Sequence, residues 1–544
     1  MNKDIIIRNG TVYDPINGIS GEKKDIFISR GKIVEKLKGK DVRVINASGK
    51  VVMPSGVDVH SHIAGGKVNM GRLFRPEDSI RREISAVNGL RSGTGFSVPS
   101  TFITGYMYAK MGYTLANEPA VPPLKARHTH EEFNDTPMID QLGLLLLGNN
   151  QQLIEYIAKG DREFLSSWVA FMLNSTKTYG IKAVNPGGTL AWGWGKNVLS
   201  LNDEVPYFNV TPREIIENLI RICEKLKLPH PLHIHLNNLG NPGNYETTMA
   251  SLKFSPMHIT HMQFNSYGGD SWKNFCSEAE KIANKINKRE KITVDMGQVV
   301  FGDTTTMTAD APFEYHLSSL NKMKWNNADV EDETGGGIVP YIYREKSPVN
   351  AVQWAVGLEI ALHINDPWRV FMTTDHPNAA PFIYYPRIIA WLMSRKYREE
   401  TLEKCHRWAA ERTTLASLDR ELSLEEIAIM TRAGPAKRLG LDSSLSEGSE
   451  ASIAIYDLNP EENDGERIEK AFSSAAYTIK EGDIVVKDGK VVKEVQGKTF
   501  WVKSKVEKDL KKDIEERFLY YTINPENYEV GLEYLPRGME ITTK

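Results

Sequence analysis

The chain has 544 residues, length for roughly three or four domains, and its 67 Lys+Arg against 70 Asp+Glu leave a net charge of −3, which excludes the basic signature of a nucleic-acid binder. Three widely separated cysteines, Cys223, Cys276 and Cys405, exclude a disulfide framework and an iron–sulfur motif and predict a reducing, cytoplasmic setting. No run of 18 apolar residues occurs and the start MNKDIIIRNG is too polar for a signal peptide, so neither export nor a membrane span is expected.

Short apolar runs at 5–8, 25–29, 32–37 and 42–46 are separated by turns at Asn9-Gly10, Asn17-Gly18 and Arg30-Gly31. A module this small cannot cover both faces of a sheet. Runs at 451–456 and 475–479 and the hairpin 484–486/491–492, turning at Asp488-Gly489, supply further strands. The pattern predicts a composite β-sandwich from 1–53 plus 443–503 that encloses a long insertion. Residues 504–544 read as a helix and an extended arm lying on this or another subunit.

Residues 54–442 alternate strand-like and helical stretches. Strands are expected at 56–62, 95–99, 180–183, 232–235, 257–261, 292–295 and 370–374, with helices such as 212–227, opened by Thr211-Pro212, and 276–288. Such alternation predicts an α/β chain with a (β/α)8 TIM barrel and insertions. A doubly wound sheet is disfavoured, because no glycine-rich fingerprint follows any strand. The glycines 335–337 read as a flexible loop.

The chemistry sits at the predicted strand ends. In PSGVDVHSH (54–62), His60 and His62 share a strand face about 7 Å apart, within reach of one ion. Lys182 ends the short strand of YGIKAV. A buried ammonium is costly, and a neutral buried lysine is a nucleophile that can form a Schiff base or take up CO2 as a carbamate. PLHIHLNNLG places His233 and His235 on one face, MHITHMQFNSYG carries His258 and His261 in different phases, and MTTDHPN ends an apolar run with Asp375. Each segment alone also suits a satisfied core residue. Together, imidazoles, a lysine and an aspartate on successive strands point to zinc or a similar divalent ion.

In that order these residues resemble the amidohydrolase superfamily, as do the split β-module and the late helix TRAGPAKRLGL (431–441). More narrowly, HSHIAGGKVNMGR (60–72), KARHTHEEFNDTP (125–137), YGIKAVNPGG (179–188), HIHLNNLG (233–240), THMQFNSYG (260–268), ETGGGIVPYIYR (333–344) and TTDHPN (373–378) resemble the A subunits of formylmethanofuran dehydrogenase, with the formyltransferase/hydrolase complex of methylotrophic bacteria as a related system. The resemblance implies a binuclear zinc site. His60 and His62 would hold one Zn2+ with Asp375, His235 and His261 the other, and Lys182, as N6-carboxylysine, would bridge them. It implies Asp375 as general base and then acid in hydrolysing formylmethanofuran to formate and methanofuran, or in the reverse condensation of CO2-reducing methanogenesis. The implied partners are an iron–sulfur polyferredoxin and a tungsten or molybdenum formate-dehydrogenase-like subunit. Substrate contacts fall to Asn69, Arg72, Asn238 and His376, the last equally suited to be a ligand or an acid. The cations Lys67, Arg72, Arg75, Arg81 and Arg82 after the first barrel strand would meet the carboxylates of the carrier's tail, although Arg81 and Arg82 equally suit a solvated helix face. Two other readings stay open: a dihydropyrimidinase-like hydrolase of cyclic amides, which shares the metal set but has no use for RHTHEE or ETGGGIVPYIYR, and a non-catalytic scaffold subunit.

Overall fold

The computed structural model describes residues 4–39, 41–80, 89–330 and 333–543. Arg81 and Arg82 lie outside the described residues. Eight parallel strands follow one another around a barrel: β1 (Gly56–Asp58), β2 (Tyr113–Val121), β3 (Asp140–Leu146), β4 (Gly180–Val184), β5 (Leu232–His235), β6 (Met257–Ile259), β7 (Ile292–Asp295) and β8 (Val370–Phe371). Each pairs with the next, and just beyond their ends the first and last meet through Ser61 and His376, where the His62 N–H donates to the His376 carbonyl at 2.8 Å. The architecture is the (β/α)8 barrel with an added sheet domain that the alternating pattern predicts. β3, DQLGLLL, is buried at every position, as a strand covered on both faces must be.

Two strands differ from expectation. Residues 95–99 form none: the Asp78 carboxylate accepts the backbone N–H groups of Phe96, Ser97 and Val98 and holds them as a loop. The place in the barrel is taken by β2, YTLANEPAV, whose polar residues conceal it in the sequence. It is wholly buried, and Asn117 spends its amide on the Val59 carbonyl at 2.7 Å.

The helices cover the strands by their apolar stripes. Helix α1 (Gly66–Phe74) follows β1, α2 (Pro212–Lys225) precedes β5, and α3 (Ala311–Asn321) lies over the barrel mouth. α2 opens with a capping box, Thr211 with Glu214, and proline at its first position. Its buried Ile215, Ile216, Leu219 and Ile222 each contribute about 1.5–3 kcal/mol by leaving water.

Strands from both chain ends form one nine-stranded sheet. Its seam is antiparallel, Val51–Pro54 against Ile453–Tyr456, and one apolar cluster joins Ile5, Ile7, Ile28 and Val52 to Ile453, Ile455 and Ile479. The hairpin Asp483–Lys487/Lys490–Val491 turns through Asp488 (φ 49°) and Gly489 (φ 70°), both left-handed, as a type I′ turn demands. Buried Arg432, from TRAGPAKRLGL, ties this sheet to the barrel by donating to the Pro54 carbonyl at 3.0 Å and to the Tyr456 hydroxyl at 2.6 Å.

Thr499–Lys503, expected with the terminal module, instead joins the barrel sheet. It lies parallel to the first half of β3 (Thr499 opposite Gln141, Phe500 opposite Leu142), and Gly538–Thr542 pairs along its other edge. Val502 and Trp501 find their burial here rather than in the terminal sheet. The last arm therefore lies on its own chain, with Phe518 of the helix Lys508–Tyr520 against Phe171. Over the mouth, Gly302–Thr308, Asn326–Val330 and Glu333–Tyr343 make a three-stranded antiparallel sheet. The glycine run is thus strand, not a flexible loop: a Cβ on Gly337 would stand 2.2 Å from the Cβ of Glu314 on α3. No helix among the described residues is long and apolar enough to cross a membrane.

Candidate metal centre

Closing the barrel between the ends of β1 and β8 brings Asp375 onto the two histidines that follow β1. Asp375 Oδ1 lies 2.9 Å from His60 Nε2 and 3.3 Å from His62 Nε2, and its Oδ2 lies 3.8 Å from His261 Nε2. The His261 ring is 4.7 Å, centre to centre, from that of His235 and 5.6 Å from that of His60. Lys182 enters from β4, level with Leu146 of β3 and His233 of β5, and is 1% exposed. Asp375 (φ 49°) and His261 (φ 38°) are both left-handed, a conformation unfavourable for residues with a Cβ and one that gathers at functional sites. His261 is further clamped by Gly297, where a Cβ would come within 2.3 Å of its own.

Burial governs the electrostatics. It pulls Lys182 down from 10.5 to about 7, against the pull of the Asp375 and Asp295 carboxylates, so the amine is readily neutral. It raises Asp375, opposed by the neighbouring His62. It lowers His62 to about 4, with the Lys67 ammonium adding to the effect, and lowers His60, His235 and His261.

The donor set suits a pair of divalent ions. Lys182 Nζ and Asp375 Oδ1 are buried and hydrogen-bond to nothing, although two imidazole nitrogens crowd the carboxylate oxygen. His60, His261 and Asp375 converge ligand atoms within 4.8 Å of one another. Imidazole and carboxylate are zinc ligands, and a neutral buried lysine is what carbamate formation requires.

A second layer aims these groups. Glu118 of β2 accepts at 2.9 Å from His62 Nδ1 and also takes the Ile63 and Ala64 N–H groups; burial pushes it up to about 7. Asp310, the N-cap of α3, lies 3.1 Å from His235 Nε2. Asp295 holds His258 Nε2 at 3.0 Å, the His261 N–H at 2.8 Å and the Thr373 hydroxyl at 2.6 Å. His233 and His258, the other histidines of the two motifs, lie in the layer beneath, where His60, His233 and Asp295 also bring ligand atoms within 4.8 Å of one another. Glu118, Asp310 and Asp295 went unread in the sequence. Glu118 had a signal, an acidic residue buried in an otherwise apolar strand, visible only once β2 is recognised.

Other expected contacts do not reach the centre. Arg72 donates to Glu132 Oε1 (2.6 Å), the Pro99 carbonyl (3.0 Å) and the Ile63 carbonyl (3.4 Å), so its guanidinium is occupied by the scaffold. Arg75 is similarly bound by Asp303 at 3.2 Å and by the Thr304 carbonyl. Asn69 is half-buried on α1, one turn before the end occupied by Arg72. His376 is engaged elsewhere: its Nδ1 accepts the Phe382 N–H at 3.2 Å, and its ring packs edge-on against Phe382. Asn238 lines an outer cavity with Asn185, Trp192, Asp310, Phe313 and His316. An inner cavity, lined by His235, Thr306, Thr308, Tyr343, Asp375 and Asn378, shares Leu239 and Phe313 with it. Of the loop cations, Lys67 reaches inward: it is buried, and its Nζ has no partner.

Comparison with known proteins places this geometry in a family. The amidohydrolase family matches residues 43–486. The chain is 55% identical to the protein FwdA of Methanocaldococcus jannaschii, over 98% of this chain and 97% of that one. It is 39% identical to the A-type subunit of the formyltransferase/hydrolase complex Fhc of Methylorubrum extorquens, over 91% of this chain and 90% of that one. The crystal structure of that FhcABCD complex with methylofuran contains a chain similar to this one with a TM-score of 0.92 at 35% identity, covering 99% of this chain and 100% of that one.

Proposed function

The chain belongs to the amidohydrolase family, and from that premise we propose that it hydrolyses formylmethanofuran to formate and methanofuran and, in reverse, condenses the two, as one subunit of a formylmethanofuran dehydrogenase complex. The observation that carries the chemistry is Lys182, a buried amine drawn down to about 7 and without a partner, ringed by four imidazoles and Asp375 at the barrel mouth. Near-full-length similarity to FwdA and to an Fhc subunit supports the formyl-carrier substrate.

In this reading His60, His62 and Asp375 would hold one zinc ion, His235 and His261 would hold the other, and Lys182, as N6-carboxylysine, would serve both. Two such ions would supply Lewis acidity and acidify water toward neutrality. Asp375 accepts the proton of the attacking water on its carboxylate. It returns that proton to the amine nitrogen as the C–N bond breaks, leaving formate and a primary amine. Thr306, Thr308 and Asn378 line the inner cavity beside it. The carrier's tail leaves past Phe313 toward Asn238 and the outer cavity. The electrons for making formate belong to a tungsten or molybdenum partner subunit fed by an iron–sulfur polyferredoxin, and the setting is the cytoplasm.

The test is direct. The purified chain, reconstituted with zinc and bicarbonate, should release formate from formylmethanofuran with no electron donor and should leave hydantoin and dihydrouracil untouched. Strict dependence on a reduced viologen, or preference for the cyclic amides, overturns the reading.

A further inference from the structure

Two buried histidines outside the ligand set form a chain that ends on His60. His230 Nδ1 lies 3.0 Å from the Arg438 carbonyl oxygen, His230 Nε2 lies 3.0 Å from His233 Nδ1, and His233 Nε2 lies 2.8 Å from His60 Nδ1. All three rings are buried. We propose that His230 and His233 are positioning residues that lock His60 into the tautomer protonated on Nδ1, so that its Nε2 faces the metal centre as a bare lone pair.

The assignment propagates from one end. A carbonyl oxygen only accepts, so His230 carries its proton on Nδ1 and its Nε2 is a lone pair. That lone pair needs a donor, so His233 carries its proton on Nδ1 and turns a bare Nε2 toward His60. His60 must then donate from Nδ1, which leaves Nε2 bare against Asp375 Oδ1 at 2.9 Å, one contact between two acceptors that an ion lying between them would relieve. The relay is one of neutral rings, each with one donor and one acceptor nitrogen. Two other groups face His60 Nδ1. The Thr260 hydroxyl, at 2.5 Å, is a second acceptor for the same N–H, and Asp295 Oδ2 lies farther away at 3.9 Å. Were Thr260 the donor instead, His60 Nδ1 would be bare and would meet the bare Nε2 of His233 at 2.8 Å, lone pair against lone pair. The relay forbids that arrangement. The neighbouring ligand His62 reaches the same tautomer by another device, the Glu118 carboxylate on its Nδ1. One histidine is thus oriented by a charge and the other by a neutral chain.

The consequence for zinc rests on the metal reading above, whereas the tautomer is a property of the metal-free chain, so the two are tested apart. Nitrogen NMR of the full-length, metal-free protein labelled on its histidine rings should show unprotonated Nε2 at His60, His233 and His230. A protonated Nε2 on His60 or His233 overturns the assignment, whatever zinc does. Zinc affinity, read by chelator competition without substrate, supplies the second measurement. His233→Phe should weaken one of the two ions about tenfold or more, the usual effect of removing a ligand's orienting partner. His233→Gln, which keeps an acceptor at the Nε2 position, should restore most of that affinity. Unchanged affinity in His233→Phe, or equal losses in both variants, overturns the positioning role. Should the Phe variant fold poorly, His230→Phe, which does not touch His60, should still give a mixture of His233 tautomers in the same spectrum, and a single unchanged tautomer there counts against the relay. If the wild type shows these tautomers yet binds no zinc, the metal reading fails and the relay stands.

Discussion

Two layers of polar side chains inside the barrel are equally buried and differently finished. At the mouth, Lys182 Nζ, Asp375 Oδ1, Lys67 Nζ and Glu314 Oε1 hydrogen-bond to nothing. Beneath them, the rings of His230, His233 and His258 and the carboxylate of Asp295 each have partners at hydrogen-bond distance. Leaving a buried polar group unpaired costs about 1–3 kcal/mol, more if it is charged. The mouth therefore stores instability that the proposed ions and substrate would relieve, while the floor is complete in the polypeptide alone. The first layer is built to receive, the second to hold.

The sharpest way to break that distinction is at Lys182. Lys182→Ala should remove both zinc ions and reduce formylmethanofuran hydrolysis to background, and Lys182→Arg should be as inactive, since a guanidinium stays cationic and cannot form the bridge. Yet metal-free Lys182→Met should melt above the metal-free wild type, because it removes a buried amine without a partner. Zinc per chain, turnover and thermal melting check all three, and a lower melting temperature for Lys182→Met would mean that the mouth is stabilised as the floor is.

The floor should answer in the opposite way. Asp295→Ala deprives His258, the His261 backbone and Thr373 of their common acceptor and should cost about 3 kcal/mol or more in urea unfolding of the metal-free chain. Arg72→Ala should be milder. It breaks the bond to Glu132 at the loop that carries α1, for about 1.5–3 kcal/mol. Zinc content should be retained, and any loss of turnover should be equal for formylmethanofuran and for a short N-formyl amine. A rise in KM for the long substrate alone would return Arg72 to the carrier's tail.

Much of the barrel was legible because its chemistry marks strand ends. Histidines, a lysine and an aspartate stood out one strand at a time, the family resemblance chose His235 over His233 and His261 over His258, and the structure gathers His60, His62, His235, His261 and Asp375 near buried Lys182. What stayed hidden has physical causes. β2 was missed because a strand buried by polar bonds, as Asn117 and Glu118 are, has no apolar periodicity. The role of Thr499–Lys503 was missed because its neighbour β3 lies more than 350 positions earlier, a pairing that local pattern cannot report. Arg72 and His376 were placed in the substrate's path because residue type and nearness to a motif say nothing of the direction in which a side chain leaves the backbone. The glycine run at 335–337 signals flexibility in isolation, and here it is the close approach of a strand to α3.

The seam between Val51–Pro54 and Ile453–Tyr456 also sets a schedule for biogenesis. A ribosome adding roughly 5–20 residues per second needs about 20–80 seconds to travel from one side of that seam to the other. During that interval the edge of Val51–Pro54 that faces Ile453–Tyr456 has no partner, and β3 waits almost as long for Thr499–Lys503. The nascent chain must carry open sheet edges almost to its end, which makes chaperone escort and expression temperature the variables that decide how much of it matures.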